Sequence, residues 1–394
     1  MITPAPGNEE QDSKERIAHP FRSLSELVNY ISGKSLSPVD TEDAGLEEAV
    51  PFPFLALVGQ KEMKLALLLG LINPSVGGIL LIGPRGTAKT TAVRSLLDLL
   101  PSVERSMCHY GCLPVDILAG GMDAVCPDCA KKFAENQPLT KPDRVRLIEL
   151  PLNARLDDVI GGIDERVALH ERQRIHRGIL AQADLNLLYI DEINLLDNNI
   201  VDAILDAAAQ GSYTVRRGPV SAIYRSRFVL IGSMNPEEGK LRPQILDRFG
   251  LRLVVRGLEN IDERLEAYRR VQAYLTNPRQ LGAQFAEVTN SISEEIQAAR
   301  QHLPNVNLPD PIAHQAIHII QKMGIDSLRA EITWFEAARA HTAADGRREV
   351  TVDDLRVVAS MALRMRRSKY MLDYFTQQND EEEEMKTLLS RIEN

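Results

Sequence analysis

The chain has 394 residues, 44% of them hydrophobic and 26% charged, with a net charge of −9. This is length enough for two or three domains around a sizeable core, while the acidic balance argues against nucleic acid and anionic lipid, whose phosphates it repels. No apolar run is long enough to span a bilayer, and the polar start "MITPAPGNEEQDSKER" lacks the basic and apolar regions of a secretory signal; the expectation is a cytoplasmic protein with no nucleic-acid partner and no membrane insertion.

Residues 1–50, rich in Pro, Ser, Glu and Asp, read as a flexible extension interrupted by one amphipathic segment, "LSELVNYIS". From Pro51 the texture changes. "GQKEMKLALLLGLI" has helical spacing and leads into "GGILLIG", a short buried strand closed by glycine. Further apolar runs follow at Val145–Leu150, Leu185–Glu192, Arg227–Ser233 and Leu251–Arg256, most of them separated by helical stretches. Continuous apolar strands alternating with helices predict an α/β core over 51–258, a parallel sheet covered on both faces. Amphipathic helices alone run over 259–370, an all-α domain, and "NDEEEE" marks an acidic tail over 371–394.

Gly83, Pro84, Arg85, Gly86, Thr87, Ala88, Lys89 and Thr90, followed by Thr91, stand between the first strand and a helix. That is the setting of a phosphate-binding loop: inward amides, a helix N-terminus, a lysine for the β- and γ-phosphates of ATP and a hydroxyl, Thr90, for Mg²⁺. Ala88 occupies the place of the pattern's second glycine, a departure that costs little if its φ is negative. Hydrolysis also needs carboxylates at a strand end. "LLYIDE" supplies Asp191 to orient the Mg²⁺ water shell and Glu192 to polarise the attacking water. Asn235, after the next strand, is either a bridge between that water and the γ-phosphate or a turn residue before Pro236. Arg248 reads as a finger aimed at a neighbouring subunit's nucleotide or as an ion-pair partner of Asp247.

All four cysteines lie in "CHYGCLPVDILAGGMDAVCPDC". Cys108, Cys112, Cys126 and Cys129 form two short-spaced pairs on turn-like sequence, the donor set of a closed, structural zinc site. An iron–sulfur cluster or free thiols use the same residues. The segment interrupts the core at about 105–140 and reads as a stapled insertion beside the nucleotide machinery. A non-enzymatic zinc module for nucleic acid is opposed by the acidic charge and by an aromatic content of only 5%.

With "VGQKEMKLALLLGLI", "GPRGTAKTT", "YIDEINLLDNNIVDAILDAAAQGSYTVRRG" and "NPEEGKLRPQILDRFG" in view, the chain resembles the AAA+ ATPases. More narrowly it resembles the ATPase (I) subunits of magnesium chelatases, over most of residues 51–365. The resemblance implies a five-stranded parallel sheet, a helical lid closing over the nucleotide, and hexameric rings with active sites between subunits. It places Val58, Gly59 and Gln60 near the adenine and assigns Arg329 to the lid, touching phosphate of its own chain. Hairpin insertions are expected at 165–180 and 211–227. The implied work is Mg²⁺ insertion into protoporphyrin IX by partner D and H subunits, for chlorophyll or bacteriochlorophyll. The loop's own wording, with Pro84, Ala88 and Thr90, leans instead toward the related MoxR-type ATPases, which remodel a metalloprotein or complex.

Overall fold

The computed structural model describes residues 50–100, 102–162, 177–217 and 220–367. The expected N-terminal extension, most of the first hairpin insertion and the acidic tail lie outside the described residues.

Nine strands are described: β1 (Ile79–Ile82), β2 (Ser102–Ser106), β3 (Thr140–Arg144), β4 (Leu147–Glu149), β5 (Leu187–Ile190), β6 (Ser212–Arg217), β7 (Val220–Arg225), β8 (Val229–Met234) and β9 (Leu251–Val254). Five of them form one sheet in the order β4-β5-β8-β1-β9, every neighbouring pair parallel. The sequences ILLI in β1, LLYI in β5 and VLIGSM in β8 are buried throughout, because both faces are covered. On one face Met63 and Leu67, of the Lys61–Ile72 helix, pack with Ile79, Tyr189 and Ile231. On the other, Ile200, Val201 and Ile204, of the Asn198–Gln210 helix, pack with Leu80, Leu188 and Phe249. All five apolar runs of the core are therefore strands of this sheet.

Two antiparallel ribbons leave the sheet. β6 and β7 pair from Ser212↔Arg225 to Arg217↔Val220, the hairpin expected at 211–227. β2 and β3 pair from Ser102↔Arg144 to Ser106↔Thr140 and close off the cysteine segment at its base. Alternation in "SVERS" and "TKPDR" is too short and polar to announce this ribbon.

Beyond β9 the described residues are helical: Ile261–Thr276, Pro278–His302, Asp310–Lys322, Leu328–Ala344 and Val352–Leu363. Trp334 is buried and its Nε1 donates to the Leu355 carbonyl at 2.7 Å, fastening the last two together. The last helix packs beside β9, where Arg364 reaches Glu62 at 3.0 Å. No helix among the described residues is long and apolar enough to cross a membrane.

Candidate functional site

Because the sheet is parallel, the C-terminal ends of β1, β5 and β8 open on one edge, where a helix begins after β1 and loops splay apart. A cavity of about 360 Å³ lies there, lined by Arg85 through Thr91, Asp191, Glu192, Ser233, Met234 and Asn235. Gly83 allows the loop to turn inside the sheet edge; a Cβ there would fall 2.2 Å from the Val255 carbonyl oxygen. Lys89 is nearly buried and its Nζ donates to the carbonyls of Gly83 and Pro84, at 2.7 and 2.8 Å. Burial lowers its pKa, and the carboxylates of Asp191, Glu192 and Glu238 work to hold the charge. A cation tucked under a loop of amides is a cradle for polyphosphate, and the residues present fit MgATP.

Asp191 is the hub. It accepts from Thr90 Oγ1 at 3.1 Å, from the Tyr189 hydroxyl at 2.9 Å and from the Ser233 hydroxyl in a short bond. Burial would raise its pKa, but these donors and the charge of Lys89 hold it below the usual carboxylate range. Thr90 and Asp191 are thus paired where Mg²⁺ on a nucleotide would sit. Glu192 has a left-handed backbone, φ 51°, and its amide donates to Ser233 Oγ at 3.1 Å. Tyr189 and Ser233 went unremarked in the sequence. Their signal was period and register: Tyr189 shares a strand face with Asp191, and Ser233 follows the Gly232 that pairs with Ile190.

Arg85 lies across the mouth of the site, 2.6 Å from Glu238 and 3.6 Å from Glu192. Glu238 also accepts from Asn235 Nδ2 at 2.9 Å, while Asn235 Oδ1 accepts the Glu237 amide at 3.2 Å. Asn235 therefore both lines the cavity and caps its own turn. Gln60 lines a hollow with Glu62, Val255, Gly257 and Glu263, and its Nε2 donates to the Arg256 carbonyl at 2.7 Å. Val255 hydrogen-bonds Ile82 at the start of the phosphate loop, so this hollow adjoins it. Gly59 abuts the same segment, whereas Val58 does not line the hollow.

Three expectations are corrected. Ala88 does not have negative φ: its φ of 63° and ψ of 23° are left-handed, so the alanine holds the conformation that the missing glycine would have adopted freely. Arg248 does not pair with Asp247; it pairs with Asp206 at 2.7 Å. Arg329 does not meet the phosphate loop of its own chain. It pairs with Asp247 at 2.9 Å and lines, together with Arg248, a hollow that includes Gly78 before β1, Phe228 before β8 and Gly250 before β9. Those residues mark the N-terminal edge of the sheet. The four residues of β1, about 13 Å of strand, separate that edge from the loop.

The four cysteine sulfurs all lie within 4.8 Å of one another. Hydrogen bonds from Ser106 and from the amides of Cys112 and Tyr110 overcome burial and pull the Cys108 thiol down to about 7. Burial pushes Cys112 up to about 12, and Cys129 upward as well.

Comparison with known proteins agrees with this geometry. Residues 78–249 match the model of the AAA domain (dynein-related subfamily), and residues 313–388 match the AAA lid domain. A magnesium-chelatase subunit ChlI homolog of Methanocaldococcus jannaschii is 41% identical over 84% of this chain and 93% of the relative. The magnesium-chelatase 38 kDa subunit of Acidiphilium rubrum is 41% identical over 82% of this chain and 92% of its own length. A chain from a model of the complex between subunits BchI and BchD of magnesium chelatase is 36% identical, covering 83% of this chain and 99% of that one, with a TM-score of 0.46. The phosphate loop, the acidic strand end, the AAA-domain match and the two relatives at 41% identity place the chain in the family of magnesium-chelatase ATPase subunits, as an ATP-dependent AAA enzyme subunit.

Proposed function

We propose that the chain is the ATP-hydrolysing motor of a magnesium chelatase, driving partner D and H subunits that insert Mg²⁺ into protoporphyrin IX for chlorophyll or bacteriochlorophyll. The observation that carries the reading is the cavity in which Lys89, Thr90, Asp191 and Glu192 converge, on a chain whose relatives bear the chelatase name. Lys89 and the loop from Gly83 to Thr91 bind the phosphates, and Thr90 with Asp191 holds Mg²⁺. When bound, the ion offsets phosphate charge. Glu192 polarises the attacking water, Asn235 orients it, and Gly59 and Gln60 border the base.

Arg248 and Arg329 share the sheet edge opposite their own loop. In this reading both serve the nucleotide of a neighbouring subunit, in a head-to-tail contact that closes into a ring, a hexamer. The four cysteines hold a structural zinc ion, and the assembly is cytoplasmic.

The test is reconstitution with D and H subunits of a working chelatase, ATP, Mg²⁺ and protoporphyrin IX, following Mg-protoporphyrin fluorescence. The reading expects signal that requires this chain and disappears with Lys89→Ala. Intact ATPase activity without chelation, while a known I subunit succeeds in the same mixture, would overturn it in favour of a MoxR-type remodelling ATPase.

A further inference from the structure

The segment between β2 and β3 has a very small core of its own, Cys112, Ile117, Cys129 and Leu139 with Val125 and Phe133 against them. So little apolar surface does not hold a fold without a cross-link. Four sulfurs around one ion at about 2.3 Å stand about 3.8 Å apart, a shell into which the cysteine cluster contracts with small movements. An iron–sulfur cluster hangs its thiolates on separate irons and spreads them further. The Cys112 amide points at Cys108 Sγ, 3.2 Å away, and the Cys126 amide at Cys112 Sγ, 3.3 Å away. Such donors stabilise thiolate charge around a cation.

What this cluster touches gives it a role. The loop between the first two ligands is His109, Tyr110 and Gly111, and it docks on the β6–β7 hairpin. The Arg225 amide of β7 donates to the Tyr110 carbonyl at 3.1 Å. The rings of His109 and Tyr110 lie 5.9 and 5.5 Å from that of Tyr224, which stacks on Tyr213 across the hairpin. Arg227, between β7 and β8, donates to the Gly111 carbonyl at 2.6 Å and pairs with Asp116 and Asp184. Gly111 has a φ of 81°, and a Cβ there would meet Asp184 and Arg225 at 2.8 and 3.0 Å, so only glycine lets the loop approach this closely. The hairpin is itself the connection between the two halves of the site. The chain leaves Glu192, runs through the Asn198–Gln210 helix, crosses β6 and β7, and returns along β8 to Asn235.

We infer that a zinc ion on Cys108, Cys112, Cys126 and Cys129 clamps the β6–β7 hairpin by setting the His109–Gly111 loop against it. The clamp presupposes the zinc proposed for these thiolates, but it goes further: the metal fixes the segment joining Glu192 to Asn235 rather than merely folding its own insertion.

The experiment uses the full chain, with zinc content measured after purification and amide hydrogen exchange followed before and after removal of metal by a strong zinc chelator. Expected are one zinc per chain and, after removal, exchange about tenfold faster or more both in 108–112 and in β6–β7, with β1 and β5 unchanged. If no zinc is found, the zinc reading fails and the clamp with it. If zinc is present, and its removal opens 108–112 but leaves the hairpin as protected as before, the clamp is overturned and the zinc stands. Tyr110→Ala separates docking from metal, and decides the matter should chelation unfold the whole chain. The clamp requires that this variant keep its zinc and loosen the hairpin selectively; a hairpin as protected as in the parent overturns it.

Discussion

Asp247 holds the counter-charge for two buried arginines, away from the nucleotide site. Arg252, on β9, and Arg366, after the last described helix, have fully buried side chains, and the Asp247 carboxylate stands 3.5 and 3.4 Å from their guanidinium groups. Burial and the like charge of Arg366 lower the Arg252 pKa to about 10, Asp247 opposing them, so it remains a cation at neutral pH. Asp247→Asn keeps the shape and removes the counter-charge from both. At an effective dielectric constant near 20, each attraction at this range is about 5 kcal/mol before desolvation, and breaking a buried pair costs about 3–5 kcal/mol net. Two features lower that figure. Asp247 itself is 36% exposed, and the arginines keep carbonyl acceptors, Met365 at 2.7 Å for Arg252 and Gly250 at 2.9 Å for Arg366. The expected loss is about 2–3 kcal/mol by urea denaturation at neutral pH. Arg329 also pairs with Asp247 but is exposed, and Arg329→Ala should cost no more than about 1 kcal/mol. A loss below about 1 kcal/mol for Asp247→Asn, or an equal loss for Arg329→Ala, would refute the claim that the buried guanidinium groups carry the effect.

Glu192→Gln should bind ATP as the parent does but turn it over about 10²–10⁴ times more slowly, as single-turnover phosphate release would show; unchanged turnover removes Glu192 from the chemistry. Ala88→Gly should stabilise the chain by about 0.5–1 kcal/mol in denaturant melts, since relief of a left-handed alanine outweighs the greater freedom of glycine when unfolded. A less stable glycine variant would contradict the strain. Asp354 is buried and accepts from Arg347, the Thr351 amide and hydroxyl, and His341; against burial, these donors hold its carboxyl well below the usual range. Its contribution is complete above about pH 4 and is lost as pH falls below that value. Asp354→Asn should therefore cost about 2–3 kcal/mol at pH 7 by denaturation, and the difference from the parent should shrink in acid; a gap that widens in acid reverses the sign.

The parts of the fold readable in the sequence were those whose cause is local. Strands β1, β5 and β8 are nearly continuous apolar runs because both their faces are covered, and the phosphate loop is a run of adjacent residues whose backbone does the binding. Ala88 misled because residue type predicts φ only when neighbours do not dictate it; the loop imposes the left-handed turn and the alanine complies. The Asp247 cluster was invisible because, Arg252 apart, its partners lie 80 to 119 residues away along the chain.

Arg329 shows a different limit. A motif identifies a residue's chemistry, but which nucleotide it can reach depends on the sheet edge at which its helix begins. Leu328–Ala344 starts beside Asp247, at the edge where β1, β8 and β9 begin, while the phosphate loop leaves the edge where β1 ends. A parallel sheet has unlike edges, and here the Arg329 cation stands at one and the phosphate cradle at the other. In the proposed ring, the two meet between chains stacked edge to edge. The sequence supplies both halves, and strand direction sets them at opposite edges of the sheet.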